Sequence, residues 1–177
     1  NPTRIGFIKI LKKMNANIRI KNLKKKSGEH VGNIFVKSGS LKPINCPKKL
    51  VSSAIDEFPL LFIIASVIKG VCKFSGINEL RHKESDRIKS IEIGLNQIGI
   101  KTKSTIDSLK IFGNPNIKIE KTLEVYPKND HRIAVSYVIL GLLLEGRIKI
   151  HNCETINTSF PSFLKLIRKV GGKFEVK

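Results

Sequence analysis

The chain has 177 residues, 33 Lys and Arg against 14 Asp and Glu, and a formal net charge of +19. Its 41% hydrophobic content suffices for one good core or two small ones, while no apolar run is long enough to span a bilayer and no signal peptide is visible. The charge invites a nucleic-acid partner, but the lysines are scattered, only Lys24, Lys25 and Lys26 form a run, and aromatics make up 6% of the chain, so acidic small molecules are the better match. Cys46, Cys72 and Cys153 form no CxxC pair, which points to reduced thiols in a cytoplasmic protein and away from a zinc site. The sequence opens on Asn1-Pro2-Thr3-Arg4 with no initiating Met, as a piece of a longer protein would.

Taken in order, residues 4–18 place Phe7, Leu11 and Met14 on one helical stripe, then Asn15, then the alternating Asn17-Ile18-Arg19-Ile20. This reads as helix, left-handed cap, strand. Residues 88–102 repeat the pattern with Ile91, Leu95, Ile98 and Gly99, and residues 160–174 with Phe163, Ile167, Val170 and Gly171. A second pattern occurs twice. Residues 58–68 and 134–144 are apolar on nearly every side, each followed by a glycine (Gly70, Gly146) and a strand at 71–74 or 147–150. Helices of that kind are usually buried. Further strands are expected at 33–37, 109–112 and 117–119. Repeated two-helix, multi-strand units with no long linker predict an α/β fold and a single lobe over residues 1–177.

Polar residues gather where these helices begin. Asp56 precedes the first buried helix, Asp130-His131-Arg132 the second, and Arg81-His82-Lys83-Glu84-Ser85-Asp86-Arg87 the middle amphipathic one. Pseudo-symmetric units can bring such helix starts onto one face, where backbone N–H groups favour anions. Each candidate has two readings. Asp56 is a helix cap or a general base, and Glu84 is a solvated carboxylate or a proton donor. Arg87 and Arg132 are surface ion pairs or planar forks for phosphate and carboxylate. His131 is a proton shuttle or a first-turn hydrogen-bond donor, and Lys83 is set apart from the other lysines by adjoining Glu84. Asp86 is expected to support the helix start, with Ser85 an alternative cap, and Thr158 or Ser159 to cap the last helix with Phe160 packing inward. P-loop, GxGxxG, GxSxG and metal-ligand spacings are absent from the sequence.

Leu80 to Arg87 resembles the LRxKESDR motif of the 5-enolpyruvylshikimate-3-phosphate synthase family, and Asn129 to Ala134 resembles its NDHRxA segment. Ile55-Asp56-Glu57 and Thr158-Ser159-Phe160-Pro161 match two more of its blocks, in the same order, so the likeness runs over essentially the whole chain as the carboxyl-terminal part of that enzyme. The resemblance implies the enolpyruvyl transferase fold, an inverse α/β barrel-like lobe built of repeated βαβαββ units, two such lobes closing on the substrates, with residues 1–177 as most of one lobe, incomplete at its amino-terminal side, and the partner lobe absent. It implies transfer of the enolpyruvyl group of phosphoenolpyruvate to the 5-hydroxyl of shikimate 3-phosphate by addition and elimination, with no metal or organic cofactor, in a monomeric enzyme. By the same likeness Asp56 contacts the shikimate hydroxyls and accepts the attacking proton, and Glu84 protonates and later deprotonates the phosphoenolpyruvate methylene. Lys83 touches both substrates, Arg87 and Arg132 bind phosphoenolpyruvate, and His131 is the neighbouring polar residue.

Two positions depart from the pattern: Thr158 stands where some members have a Lys, and Glu79 where others have an Asn that touches shikimate. The UDP-N-acetylglucosamine enolpyruvyl transferases share the architecture with another acceptor, and the LRxKESDR and NDHR matches speak against them. A non-catalytic basic module that binds RNA is the alternative from a different class. The fragment alone is expected to be inactive without the amino-terminal lobe.

Overall fold

The computed structural model describes residues 1–176. Helix α1 (Gly6–Lys13) ends at Asn15, whose φ of 69° makes the left-handed turn expected there, and leads into strand β1 (Asn17–Lys26). β1 pairs antiparallel with β2 (Glu29–Lys37) across a two-residue turn in which Ser27 and Gly28 both have positive φ. That turn matches the twist of a hairpin. Ile18 and Ile20 lie opposite Val36 and Ile34, so one face of the hairpin is apolar, yet every hairpin residue except Ile18 is exposed.

A 3-10 segment (Ser52–Glu57) then runs into α2 (Phe58–Ser66), with Pro59 in the first turn, where its missing N–H is not needed. Phe58, Phe62 and Phe74 meet edge to face, and with Leu61 and Ile63 they anchor the main core. Strands β3 (Gly70–Ser75), β4 (Thr102–Ser104) and β5 (Ser108–Gly113) form an antiparallel sheet in the order β3-β5-β4. Between β3 and β4 runs α3 (Arg87–Gln97), closed at Gly99 with φ 81°. Strand β6 (Leu123–Val125) pairs in parallel with β7 (Ile148–Ile150), and the connection between them is α4 (His131–Leu143). Short helices α5 (Thr155–Ser159) and α6 (Phe163–Lys169) follow. Both buried helices, α2 and α4, therefore lie where the sequence places them.

α4 is the hinge of the packing. Ile133, Tyr137 and Leu140 enter the main core, while Ala134 joins Ile156, Phe163 and Ile167 in a second cluster beneath α5 and α6. Against α3, α4 packs very closely: a Cβ on Gly94 would stand 2.0 Å from the Tyr137 hydroxyl. That hydroxyl donates to the carbonyls of Ser90 and Ile91, and burial pushes its pKa up.

Three sequence expectations fail. Residues 117–119 form no strand; the Ile119 N–H instead donates to the Glu145 carbonyl. The third helix–cap–strand repeat loses its strand, since residues 172–176 have no regular structure. Thr158 and Ser159 lie in the last turn of α5 rather than capping a helix; Phe160 leaves the helical region, as a residue before proline prefers to, and stays 44% exposed while Phe163 is 6% exposed. The described residues contain no helix long and apolar enough to cross a membrane.

Candidate active site

The starts of α2, α3 and α4 meet around one guanidinium. Arg87 is the first residue of α3, and its side chain is only 2% exposed. Its Nε donates to Asp130 Oδ2 at 2.8 Å, and Nη2 donates to Glu84 Oε2 at 2.6 Å and to Asp130 Oδ1 at 3.4 Å. Nη1 reaches Asp56 Oδ1 at 3.4 Å. A buried guanidinium needs such partners, because an unpaired charge in the interior is costly. Carboxylates from three separate segments supply them.

Asp130 is the other half of this knot and is fully buried. It caps α4 by accepting from the backbone N–H groups of Arg132 and Ile133 at 2.9 and 3.4 Å, and it accepts the Ser85 hydroxyl at 3.0 Å. One side chain thereby joins the α3 and α4 N-termini. Asp86 rather than Ser85 caps α3, accepting from the Lys89 N–H at 2.9 Å, and Arg81 grips Asp86 at 2.8 Å while donating to the Thr105 and Ile106 carbonyls. The charged stretch is therefore a structured turn.

Around the knot lie the remaining candidates. Burial raises the Asp56 carboxyl pKa, but the cations of Arg132, Lys83 and Arg87 outweigh that and hold it below its ordinary 3.8. Lys83 pairs with Glu79, one helical turn before it. Arg132 reaches Glu57 at 3.4 Å. Glu84 is half-exposed, and among the described residues its second oxygen makes no hydrogen bond. His131 begins α4 and, among the described residues, makes no side-chain hydrogen bond. Asp56, Lys83, Glu84, Arg87 and Arg132 are thus assembled in one place, and His131 lies beside Arg132. Among the described residues the Thr158 hydroxyl bonds only to the Thr155 carbonyl of its own helix.

Sequence reasoning passed over Asp130 as a mere helix opener, and it did not foresee Arg4, which reaches Asp56 Oδ2 at 3.4 Å. The signals for Asp130 are its residue type at a helix start and its place in the Asn129-Asp130-His131-Arg132 segment. The cluster gathers four cations (Arg4, Lys83, Arg87, Arg132) and five carboxylates (Asp56, Glu57, Glu79, Glu84, Asp130), each cation already ion-paired, so an anionic substrate would exchange for some of these pairs beside carboxylates able to move protons.

Residues 1–167 match the family model for EPSP synthase (3-phosphoshikimate 1-carboxyvinyltransferase). Curated relatives of that name include one from Halorhodospira halophila, 39% identical over 99% of this chain, and one from Petrotoga mobilis, 42% identical over 96%. The chain spans 39% of the length of each. An EPSP synthase structure from Acinetobacter baumannii superposes with a TM-score of 0.93 at 41% identity, covering 100% of this chain and 41% of that one. The enolpyruvyl transferase NikO from Streptomyces tendae superposes at 0.61 with 16% identity, which shows the shared fold alone. The chain belongs to the EPSP synthase family and has the enolpyruvyl transferase fold.

Proposed function

We propose that the protein containing this chain transfers the enolpyruvyl group of phosphoenolpyruvate to the 5-hydroxyl of shikimate 3-phosphate, releasing phosphate. The observation that carries this reading is the convergence of Asp56, Lys83, Glu84, Arg87 and Arg132 at three helix starts in a chain of this family. Asp56, kept ionised by its cations, accepts the proton of the attacking hydroxyl. Glu84 delivers a proton to the phosphoenolpyruvate methylene carbon and removes one when phosphate leaves. Lys83 and Arg132 hold substrate anions, and Arg87, with one Nη1 N–H left after its bonds to Asp130, Glu84 and Asp56, adds a single donor from the knot that also fixes Glu84. His131 lends a polar contact beside Arg132. No metal or organic cofactor takes part.

The chain is most of one lobe, incomplete at its amino-terminal side, of a two-lobed, monomeric cytoplasmic enzyme, and the remaining length of its relatives supplies the rest of that lobe and the facing one. The exposed apolar side chains Ile20, Leu23, Ile34 and Val36 support this, because a bare two-stranded hairpin is marginal in water and this one has a face to bury.

Phosphate release tests the proposal. The full-length protein should release phosphate from phosphoenolpyruvate with shikimate 3-phosphate and not with UDP-N-acetylglucosamine, and the 177-residue chain alone should release none. Turnover with the nucleotide sugar instead, or salt-sensitive RNA binding without turnover, would overturn it.

A further inference from the structure

The amino-terminal turn has no part in the chemistry described so far, yet it is built with care. The N–H and hydroxyl of Thr3 donate to Asn1 Oδ1 at 3.0 and 2.8 Å, and the Arg4 N–H donates to the Asn1 carbonyl at 3.0 Å. Two residues on, Gly6 begins α1 and is buried. A Cβ there would lie 2.3 Å from the Ser53 hydroxyl and 2.7 Å from the Ser53 carbonyl, so only glycine lets α1 seat this tightly. Ser53 is itself fixed, donating to the Leu50 carbonyl at 3.1 Å. It belongs to the same 3-10 segment as Asp56. The tight seat therefore sets the position of Arg4 relative to Asp56.

There the two arginines divide the carboxylate: Arg87 takes Oδ1 and Arg4 takes Oδ2, each at 3.4 Å. A carboxylate held at both oxygens cannot rotate freely about its last bond, and each oxygen keeps a second lone pair for a substrate hydroxyl. We infer that Arg4 is a positioning residue for Asp56, holding the carboxylate in the orientation from which it takes the acceptor hydroxyl's proton. The inference rests on the enolpyruvyl-transfer reading. Arg4 is 69% exposed, so its ion pair adds little to stability and its value is geometric. The cations that lower the Asp56 pKa are Arg132, Lys83 and Arg87; among the described residues Arg4 alone hydrogen-bonds Oδ2.

A double-mutant cycle in the full-length enzyme tests this. Arg4→Ala should lower kcat about two- to fivefold, the range of an exposed ion pair, with KM for both substrates and the melting temperature unchanged. Arg4→Lys should recover part of the loss. In an Asp56→Asn background, Arg4→Ala should change nothing further. A rise in either KM with kcat intact, losses that simply multiply in the double variant, or no loss at all would each overturn the inference. A second readout does not depend on turnover: the carboxyl carbon-13 resonance of Asp56 should move in Arg4→Gln, and an unmoved resonance would overturn the inference. Failure of the wild-type enzyme to release phosphate would count against the enolpyruvyl reading and leave the resonance result standing.

Discussion

Replacing Asp130 by alanine should be the most damaging single polar change in this chain. The carboxylate accepts from the Ser85 hydroxyl, from Nε and Nη2 of Arg87, and from the backbone N–H groups of Arg132 and Ile133. Removing it strands the Arg87 guanidinium, whose side chain is 2% exposed, against the more exposed carboxylates of Glu84 and Asp56. Breaking a buried ion pair from one side costs about 3–5 kcal/mol, and losing a helix cap costs about 1 kcal/mol. Equilibrium urea unfolding should report a loss in the upper part of that range. Asp130→Asn keeps an oxygen to cap α4 but removes the charge, so it should fall between alanine and wild type. The pair Arg87→Met with Asp130→Leu removes both charges and should recover most of the lost stability while leaving no activity. A loss under about 1 kcal/mol for the alanine variant, or a double variant as unstable as the single, would refute the reasoning that the knot is a buried ion pair.

Glu84→Gln in the full-length enzyme should depress kcat far more than it weakens shikimate 3-phosphate binding, and equal losses would make Glu84 structural. Glu79→Gln removes the partner of Lys83 and should lower the KM for phosphoenolpyruvate up to about fivefold; steady-state kinetics showing a raised KM would contradict a competing Glu79–Lys83 pair. Because Asp56 titrates below its ordinary 3.8, its ionised form adds stability above that value, and this is lost as pH falls through the lowered pKa. The stability difference between wild type and Asp56→Asn should thus shrink below about pH 4, and urea titrations giving a constant difference down to pH 2 would argue against the lowered pKa. Gly94→Ala puts a methyl 2.0 Å from the Tyr137 hydroxyl, which is tied to two α3 carbonyls, and should cost about 1–3 kcal/mol; an unchanged thermal melt would mean that α3 and α4 can part freely.

What was readable in the sequence follows from the range of the forces involved. The stripes of α1, α3 and α6 and the all-apolar α2 and α4 are local periodicities that burial enforces, so they stood out. The failures are places where a local pattern meets a distant or singular constraint. Ile117 and Ile119 alternate like a strand, but the Ile117 N–H turns back to the Asn114 carbonyl and the Ile119 N–H goes to Glu145, whereas the three-residue β6, too short to announce itself, gains its partner 25 residues later in β7. Pro161 keeps Phe160 out of the helical region, so α5 stops at Ser159 and α6 begins only at Phe163. The site divides the same way. Charge density marked the stretch from Arg81 to Arg87, and caps at Asp86 and Asp130 follow from residue type. That Arg87 closes on Asp130, 43 residues away, while Glu84 and Asp56 share the same guanidinium, could not be inferred without the α3–α4 contact at Gly94 and Tyr137. That contact brings the helix starts together, so the knot depends on a glycine that no charge pattern reveals. The same guanidinium orients a proposed base and a proposed acid, so the two carboxylates are set relative to each other by packing before any substrate anion is bound.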